Sequence, residues 1–332
     1  MINLGIIGMG YMGRAHLAAS SQVPDARIAA VASRQFDKLE HLQPDVRVYP
    51  TYEELLQDNG LDAVIICLPT FLHERYVLRA VEAGRHVLCE KPFALDVAAA
   101  GRILEAANRQ QVTLMIGQVL RFWPQYVRIK NELDAGTIGS IRTVSAYRLA
   151  QYPDWGQWFQ DPEKSGGCLL DLQIHDVDFI HWILGHPQQV FTTGLRSATG
   201  SWDHVYTTLS YPNAVASVEA SYTMPESWPF RTSIRINGTR GCLEYTFQVA
   251  GNVGEVSHAQ NRLVLYGSNE VVELDVATDN SFASQLQYFI SCIMEHKSPE
   301  TNPPEESLQV MEVMAALKQS ADTRQVIALT DT

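Results

Sequence analysis

The sequence has no C-x-x-C pair, and its five cysteines (Cys67, Cys89, Cys168, Cys242 and Cys292) are odd in number and widely scattered. That argues against a disulfide framework or a thiolate zinc site and points to a reducing cytoplasm. No run approaches the ~20 uninterrupted apolar residues that a membrane helix needs, so nothing is expected to span a bilayer. The opening "MINLGIIGMG" carries neither a basic leader nor a small-residue cleavage site, which argues against a secretory signal. Positive charge is scarce: 25 Lys and Arg against 37 Asp and Glu leave a formal net charge of -12. A general nucleic-acid or anionic-membrane surface would want the opposite field. Repeats and low-complexity tracts are also missing. What is left is an ordinary globular composition in a chain of 332 residues, more than one hydrophobic core usually supports. Two domains are expected.

Residues 1–120 alternate short β-branched runs with helical patterns. Strands are expected at Leu4–Ile7, Ile28–Ala32, Ala63–Leu68, His86–Cys89 and Thr113–Gly117. Runs without polar alternation, such as "AVIICL", suit strands buried on both faces, so the sheet should be parallel and doubly wound. Residues 121–332 read differently. A helix at Pro124–Ala135 precedes alternating runs such as "IRTVSAYRLA", "HVYTTLSY" and "RTSIRINGT", which predict a large, mostly antiparallel second sheet. One helix is predicted within it, Leu170–Leu184, closed by Gly185 and Pro187; helical periodicity returns from Phe282 to Ser320.

"GMGYMG" (Gly8, Gly10, Tyr11, Met12, Gly13) is a G-x-G-x-x-G that follows the first strand and opens a helix. In that context the glycines allow a tight turn and a close backbone approach, with the helix N-terminus facing a pyrophosphate. The alternative is a glycine-rich turn without a ligand. The second strand ends in Ser33 and Arg34, where a carboxylate would bind a ribose 2'-hydroxyl. A hydroxyl and a guanidinium suit a 2'-phosphate better, so NADP(H) is expected over NAD(H). Alternatively, Arg34 is a solvated loop residue. Leu68, Pro69 and Thr70 turn at the carboxyl edge of the sheet, and His73 opens the next helix; they are expected to wall the nicotinamide ribose, with a cap or surface role for His73 as the alternative.

"CEKPF" puts Glu90, Lys91 and Pro92 at the end of another strand. The Lys91 ammonium suits stabilisation of a substrate oxygen, with Glu90 as its support; a surface ion pair is the plain alternative. In "DLQIHDVDF", Asp171 and His175 are four apart and share a face if the segment is one helix. His175 is then the natural general acid-base, with Asp171 to orient the substrate or stabilise the imidazolium; a helix-surface ion pair is the plain alternative. A metal site using Asp178 and His181 is disfavoured, because the ligands lie on one side only. Trp155 and Trp158, in an aromatic loop, could stack on a sugar face, with packing of a lid as the commoner alternative, and Arg121 in "QVLRFWP" could reach the substrate.

Together "GIIGMGYMGRAH", "LPTFLH", "EKPF", "SGG" with "DLQIHDVDF", and "INGTRGCLEY" resemble the glucose-fructose oxidoreductase, inositol dehydrogenase and rhizopine-catabolism (Gfo/Idh/MocA) family over nearly the whole chain. The resemblance implies a Rossmann domain followed by an α/β domain with a large open sheet. It places the catalytic set on Lys91, Asp171 and His175. It also implies hydride exchange between nicotinamide and a hydroxyl or keto carbon of a sugar, cyclitol or related polyol, in a homodimer or homotetramer joined through that sheet. Gln173 stands where many relatives have glycine. Two other readings stay open: a dinucleotide-binding sensor without turnover, and a redox-neutral NAD-dependent glycosidase.

Overall fold

The computed structural model describes residues 1–33, 42–154, 156–249 and 259–329. Contacts divide them into two compact units, Met1–Phe122 with Asp279–Met311, and Trp123–Thr278 with Glu312–Thr332.

The first unit is built on six strands: β1 (Ile2–Ile7), β2 (Ala26–Ala32), β3 (Arg47–Tyr49), β4 (Ala63–Ile66), β5 (His86–Cys89) and β6 (Leu114–Ile116). All neighbours pair in parallel, in the order β3-β2-β1-β4-β5-β6. Between them run α1 (Tyr11–Ser20), α2 (Tyr52–Leu56), α3 (His73–Glu82) and α4 (Val97–Gln110). Every residue of β4 is buried, as the unbroken apolar run requires. Strand order reverses between β1 and β4, so their carboxyl ends part and leave room for a ligand. Edge strand β3 was not expected; it is three residues long, two of them exposed, and carries no periodic signal.

The sequence expectation divided the chain once, near residue 120, but Asp279–Met311 belongs with the first unit. The reason is a later helix that covers its core. Ala283, Leu286, Phe289, Ile290 and Ile293, spaced three and four apart, share one buried cluster with Leu4, Ile6, Leu88 and Met115. Burying each large side chain is worth ~1.5–3 kcal/mol, enough to fix where the segment docks.

The second unit begins with α5 (Pro124–Asp134) and β7 (Ile141–Leu149), followed by three helical pieces, α6 (Pro162–Ser165), α7 (Gly167–Asp171) and α8 (Ile174–Leu184). Then come β8 (Gln189–Arg196), β9 (Trp202–Ser210), β10 (Val215–Ser221), β11 (Phe230–Gly238), β12 (Cys242–Val249), β13 (Gln260–Tyr266) and β14 (Val271–Glu273). The covering helix of the first unit is α9 (Ser281–Glu295); α10 (Pro304–Thr323) and β15 (Ile327–Ala328) end the described chain. Nine strands form one sheet in the order β14-β13-β12-β11-β7-β10-β9-β8-β15, with β7 and β10 its parallel pair. Along β9, buried Asp203, Val205, Thr207 and Leu209 alternate with more open residues, so one face is packed and the other is open. Helices α7 and α8 lie on the packed face.

The single helix expected over Leu170–Leu184 is two helices, α7 and α8, separated by Leu172 and Gln173. The Gln173 amide N–H donates to Cys168 O, off the regular ladder, and its side-chain Nε2 donates to Thr207 Oγ1 on β9 at 2.9 Å. A fully buried amide tied to the sheet holds the chain at the break.

Candidate active site

In the first unit, the three glycines of Gly8–Gly13 have different reasons to be there. Gly8 has φ +95°, and a Cβ on it would lie 2.5 Å from Cys67 O. At Gly13 a Cβ would lie 2.0 Å from Gly8 O. Both are required by the chain itself. Gly10 is different, because a Cβ there would meet nothing within 4 Å. It is the N-cap of α1, with no side-chain cap and no acidic residue in the first turn. Open space over uncapped helix N–H groups is the cradle a pyrophosphate fits. Tyr11 and Met12 are half-buried in the first turn, and burial raises the Tyr11 phenol. Ser33 is buried directly after β2, whereas Arg34 lies outside the described residues.

The strand ends beside this loop are held by two buried histidines. His73, fully buried at the start of α3, sets Nε2 2.8 Å from the Leu68 carbonyl and Nδ1 2.8 Å from the Pro92 carbonyl. It staples the loop after β4 to the turn after β5. Burial depresses its basicity, against the two carbonyls and Glu90, which favour the proton. A neutral ring donates to only one of these carbonyls at a time. Pro69 is half-buried and Thr70 buried in the same loop. The sequence offered His73 as a wall of the cofactor or as a cap; its position is that of an internal staple.

His16, also fully buried, places Nε2 2.7 Å from Glu90 Oε1. The other carboxylate oxygen accepts from the Lys91 backbone N–H at 3.3 Å. Glu90 therefore supports the backbone of the lysine turn. Gly117 makes room for it, since a Cβ there would sit 3.1 Å from Glu90 Cα. The Lys91 side chain is half-buried, and the Lys91–Pro92 peptide is cis. Cys67 and Cys89 nearby are pushed well up by burial and by the charge of Glu90, so both remain inert thiols. Arg121, expected to reach a substrate, is buried, with its guanidinium donating to Thr301 O at 3.2 Å and Glu306 Oε2 at 2.5 Å. That is a packing role within the first unit.

In the second unit, Asp171 closes α7 and His175 lies in the first turn of α8, so the two are not on one continuous helix. Asp171 is buried and accepts a hydrogen bond from Tyr222 OH. Beside His175, Asp176 receives Arg148 in a two-pronged ion pair, 2.8 and 2.9 Å, buried on both sides. This pair anchors α8 to β7. Burial works against the Arg148 charge, yet Asp176 and Tyr126 hold it above the ordinary range. Asp178 and His181 are buried in α8. Among the described residues no three His, Cys, Asp or Glu side chains converge as metal ligands do. Trp158 stacks on Phe159 at 3.9 Å, and Trp155 lies outside the described residues.

Sequence reasoning missed His16, Tyr222 and the Arg148–Asp176 pair. For His16 a signal existed: Gly13, His16 and Ala19 recur every third residue on the buried face of α1. Nothing in the sequence marks Tyr222.

Residues 2–118 match a family model described as "Oxidoreductase family, NAD-binding Rossmann fold", and residues 126–244 match the "GFO/IDH/MocA C-terminal domain". A D-xylose 1-dehydrogenase (NADP(+)) of Haloferax volcanii is 29% identical over 331 residues, covering 98% of this chain and 99% of that protein. A scyllo-inositol 2-dehydrogenase (NAD(+)) of Bacillus subtilis is 25% identical over 90% of this chain and 88% of its own. The crystal structure of an aldose-aldose oxidoreductase from Caulobacter crescentus superposes with a TM-score of 0.86 at 22% identity, over 99% of both chains, which establishes the shared fold. With both family models matched over most of its length, the chain belongs to the Gfo/Idh/MocA family of NAD(P)-dependent oxidoreductases.

Proposed function

We propose that the protein is a dehydrogenase or reductase that uses NADP(H) in preference to NAD(H) and acts on a CH–OH carbon of a sugar, cyclitol or related polyol. The observation that carries this is the lysine turn. Lys91 is fixed through Glu90 and His16, beside a loop whose Gly10 leaves space over the α1 N-terminus. Substrate class follows from the named relatives, which act on xylose and on scyllo-inositol.

Gly8, Gly10, Tyr11, Met12 and Gly13 would hold the pyrophosphate, Ser33 and Arg34 the 2'-phosphate, and Leu68, Pro69, Thr70 and Lys91 the nicotinamide half. The bound nicotinamide supplies the hydride acceptor or donor. In the oxidising direction, as the hydride passes to the bound nicotinamide, His175 would take the proton of the substrate O–H. Lys91 stabilises the developing oxygen charge, and Asp171 orients the imidazole or the substrate. A serine rather than a carboxylate directly after β2 supports the NADP(H) preference. Trp158 and Trp155 would flank the sugar.

The open face of the nine-stranded sheet supports a homo-oligomer. It carries a depression of about 430 Å³ lined by Ser145, Tyr147, Phe191, Tyr206, Ser217 and Glu219, with Tyr206 51% exposed. Five free cysteines suit a reducing compartment.

The test is a screen of sugars, cyclitols and their keto forms by nicotinamide absorbance, with both cofactors, comparing wild type and Lys91→Ala. Turnover with NADP(H) that is lost in the variant is the expected result. Cofactor binding without turnover on any member would move the protein to a sensor. Aryl-glycoside cleavage without net cofactor change would make it a redox-neutral glycosidase.

A further inference from the structure

We propose that Tyr222 is a positioning residue for the active-site carboxylate of Asp171. This rests on the assignment of Asp171 to the proton chemistry, and it adds a residue 51 positions away that no motif includes.

Asp171 needs an outside support. It is the last residue of a five-residue helix, directly before the break at Leu172 and Gln173, and its side chain is buried. A buried carboxylate is costly unless hydrogen-bonded, and a side chain at a helix end has several rotamers open to it. The Tyr222 phenol donates to Oδ2, which fixes the orientation of the carboxylate.

Tyr222 is itself well anchored. It directly follows β10, and its backbone N–H donates to Asp203 O at 2.9 Å. One residue earlier, Ser221 O accepts from Ala150 N at 2.9 Å, tying the same segment to the end of β7. The ring packs against Tyr152, with centroids 5.4 Å apart and planes tilted by 43°. The Tyr152 hydroxyl donates to Phe159 O at 3.2 Å and lies 3.4 Å from Asp203 Oδ1. Two strands and an aromatic neighbour therefore set where the phenol oxygen sits.

The chemistry favours a donor over a proton shuttle. Burial, then the negative charge of Asp171, pushes the Tyr222 phenol far above its ordinary value, so it keeps its proton at neutral pH. The phenol of Tyr152 is pushed up to about 12, by burial and by Asp203. Neither ring is poised to exchange protons with a substrate. Tyr222 acts through Asp171.

The experiment is a double-mutant cycle of Tyr222→Phe and Asp171→Asn, both near-isosteric, with thermal unfolding to confirm that each variant folds. Turnover is measured on the substrate found by the screen, and the tyrosines are titrated by ultraviolet difference spectra at alkaline pH. Tyr222→Phe should lower kcat on the order of tenfold, the scale of a hydrogen bond to a charged group, with KM within about twofold. Added to Asp171→Asn, it should cost less than about twofold more, because its target is already gone. In the titration, Asp171→Asn should make one resistant tyrosine ionise at lower pH, and that tyrosine should be missing from the double variant. A merely structural tyrosine would lower stability and leave the kcat coupling at zero.

Full activity in Tyr222→Phe, alongside a crippled Asp171→Asn, overturns the positioning role and leaves the assignment of Asp171 standing. Full activity in Asp171→Asn overturns that assignment and the positioning role with it. A tyrosine titration that Asp171→Asn does not move overturns the contact itself, whether or not a substrate is known.

Discussion

The two units assemble their functional residues by different rules. In the first, each candidate group sits at the carboxyl end of a parallel strand: Gly8 after β1, Ser33 after β2, Pro69 after β4, Lys91 after β5. A parallel sheet with reversed strand order brings such ends together by topology alone. In the second unit no such rule operates. Asp171 is held by Tyr222, 51 residues on, and α8 is held by Arg148, 28 residues before Asp176. A site built on strand ends tolerates variation elsewhere in its sheet, whereas one built on distant pairs is lost when one member changes.

The largest effect is expected at the lysine turn. Lys91→Met should lower kcat by about 10²–10⁴, the range for loss of a group that stabilises charge or moves a proton, while NADP(H) binding, which Lys91 shares with many other groups, weakens by no more than about tenfold. Fluorescence titration and single-turnover kinetics separate the two. An equal loss of cofactor affinity would place Lys91 in nucleotide binding alone.

Next comes the anchor of the second unit. Asp176→Ala leaves Arg148 charged and buried without its partner, which should cost about 3–5 kcal/mol in urea unfolding. Replacing both members with well-packed apolar residues should recover most of that loss. A loss within error for the single variant would mean that Arg148 finds another partner, and the contrast between the units would weaken.

A smaller pair of changes sharpens the same contrast inside the first unit. Gly13→Ala must push Cβ against Gly8 O and should lower the melting temperature. Gly10→Ala should leave melting nearly unchanged and weaken cofactor binding by about tenfold, because its Cβ enters space the chain leaves open. Calorimetry reads both. Equal melting losses would show that Gly10 also serves the fold.

These differences explain what the sequence could and could not reveal. The β-branched runs exposed the parallel sheet, since strands buried on two faces leave unbroken apolar stretches such as Ala63–Ile66. The glycine loop and the Glu90-Lys91 turn were legible because each is contiguous. The expected single helix over Leu170–Leu184 failed because Gln173 is polar yet wholly buried, tied to Thr207, a contact no local pattern contains. Arg121 was read as able to reach a substrate because it stands just past the last strand of the parallel sheet; its partners Thr301 and Glu306 lie far along the chain. The same distance hid α9 from a linear division into domains.

The smallest expected effect concerns His73 and the pH dependence of stability. Burial lowers its proton affinity in the folded protein below that of the unfolded chain. As pH falls below about 6.5, the unfolded chain takes up a proton before the folded one does, so the equilibrium shifts toward unfolding. The contribution of His73 is thus fully present above that pH and is lost as pH falls toward the folded-state value. His86 in the same unit is depressed by burial too and adds a slope of the same sign. Urea midpoints at pH 7.5 and 5.5 should therefore differ less in His73→Asn than in wild type, with a residual slope from His86. The ring also joins the Leu68 loop to the Pro92 turn, so His73→Asn should loosen cofactor binding at both pH values by a similar factor. If the variant kept the full wild-type slope, the ring would titrate alike in the folded and unfolded chain and burial would not depress it; a steeper slope in the variant would instead mean that the folded ring carries a proton on each nitrogen, as a buried cation balanced by Glu90.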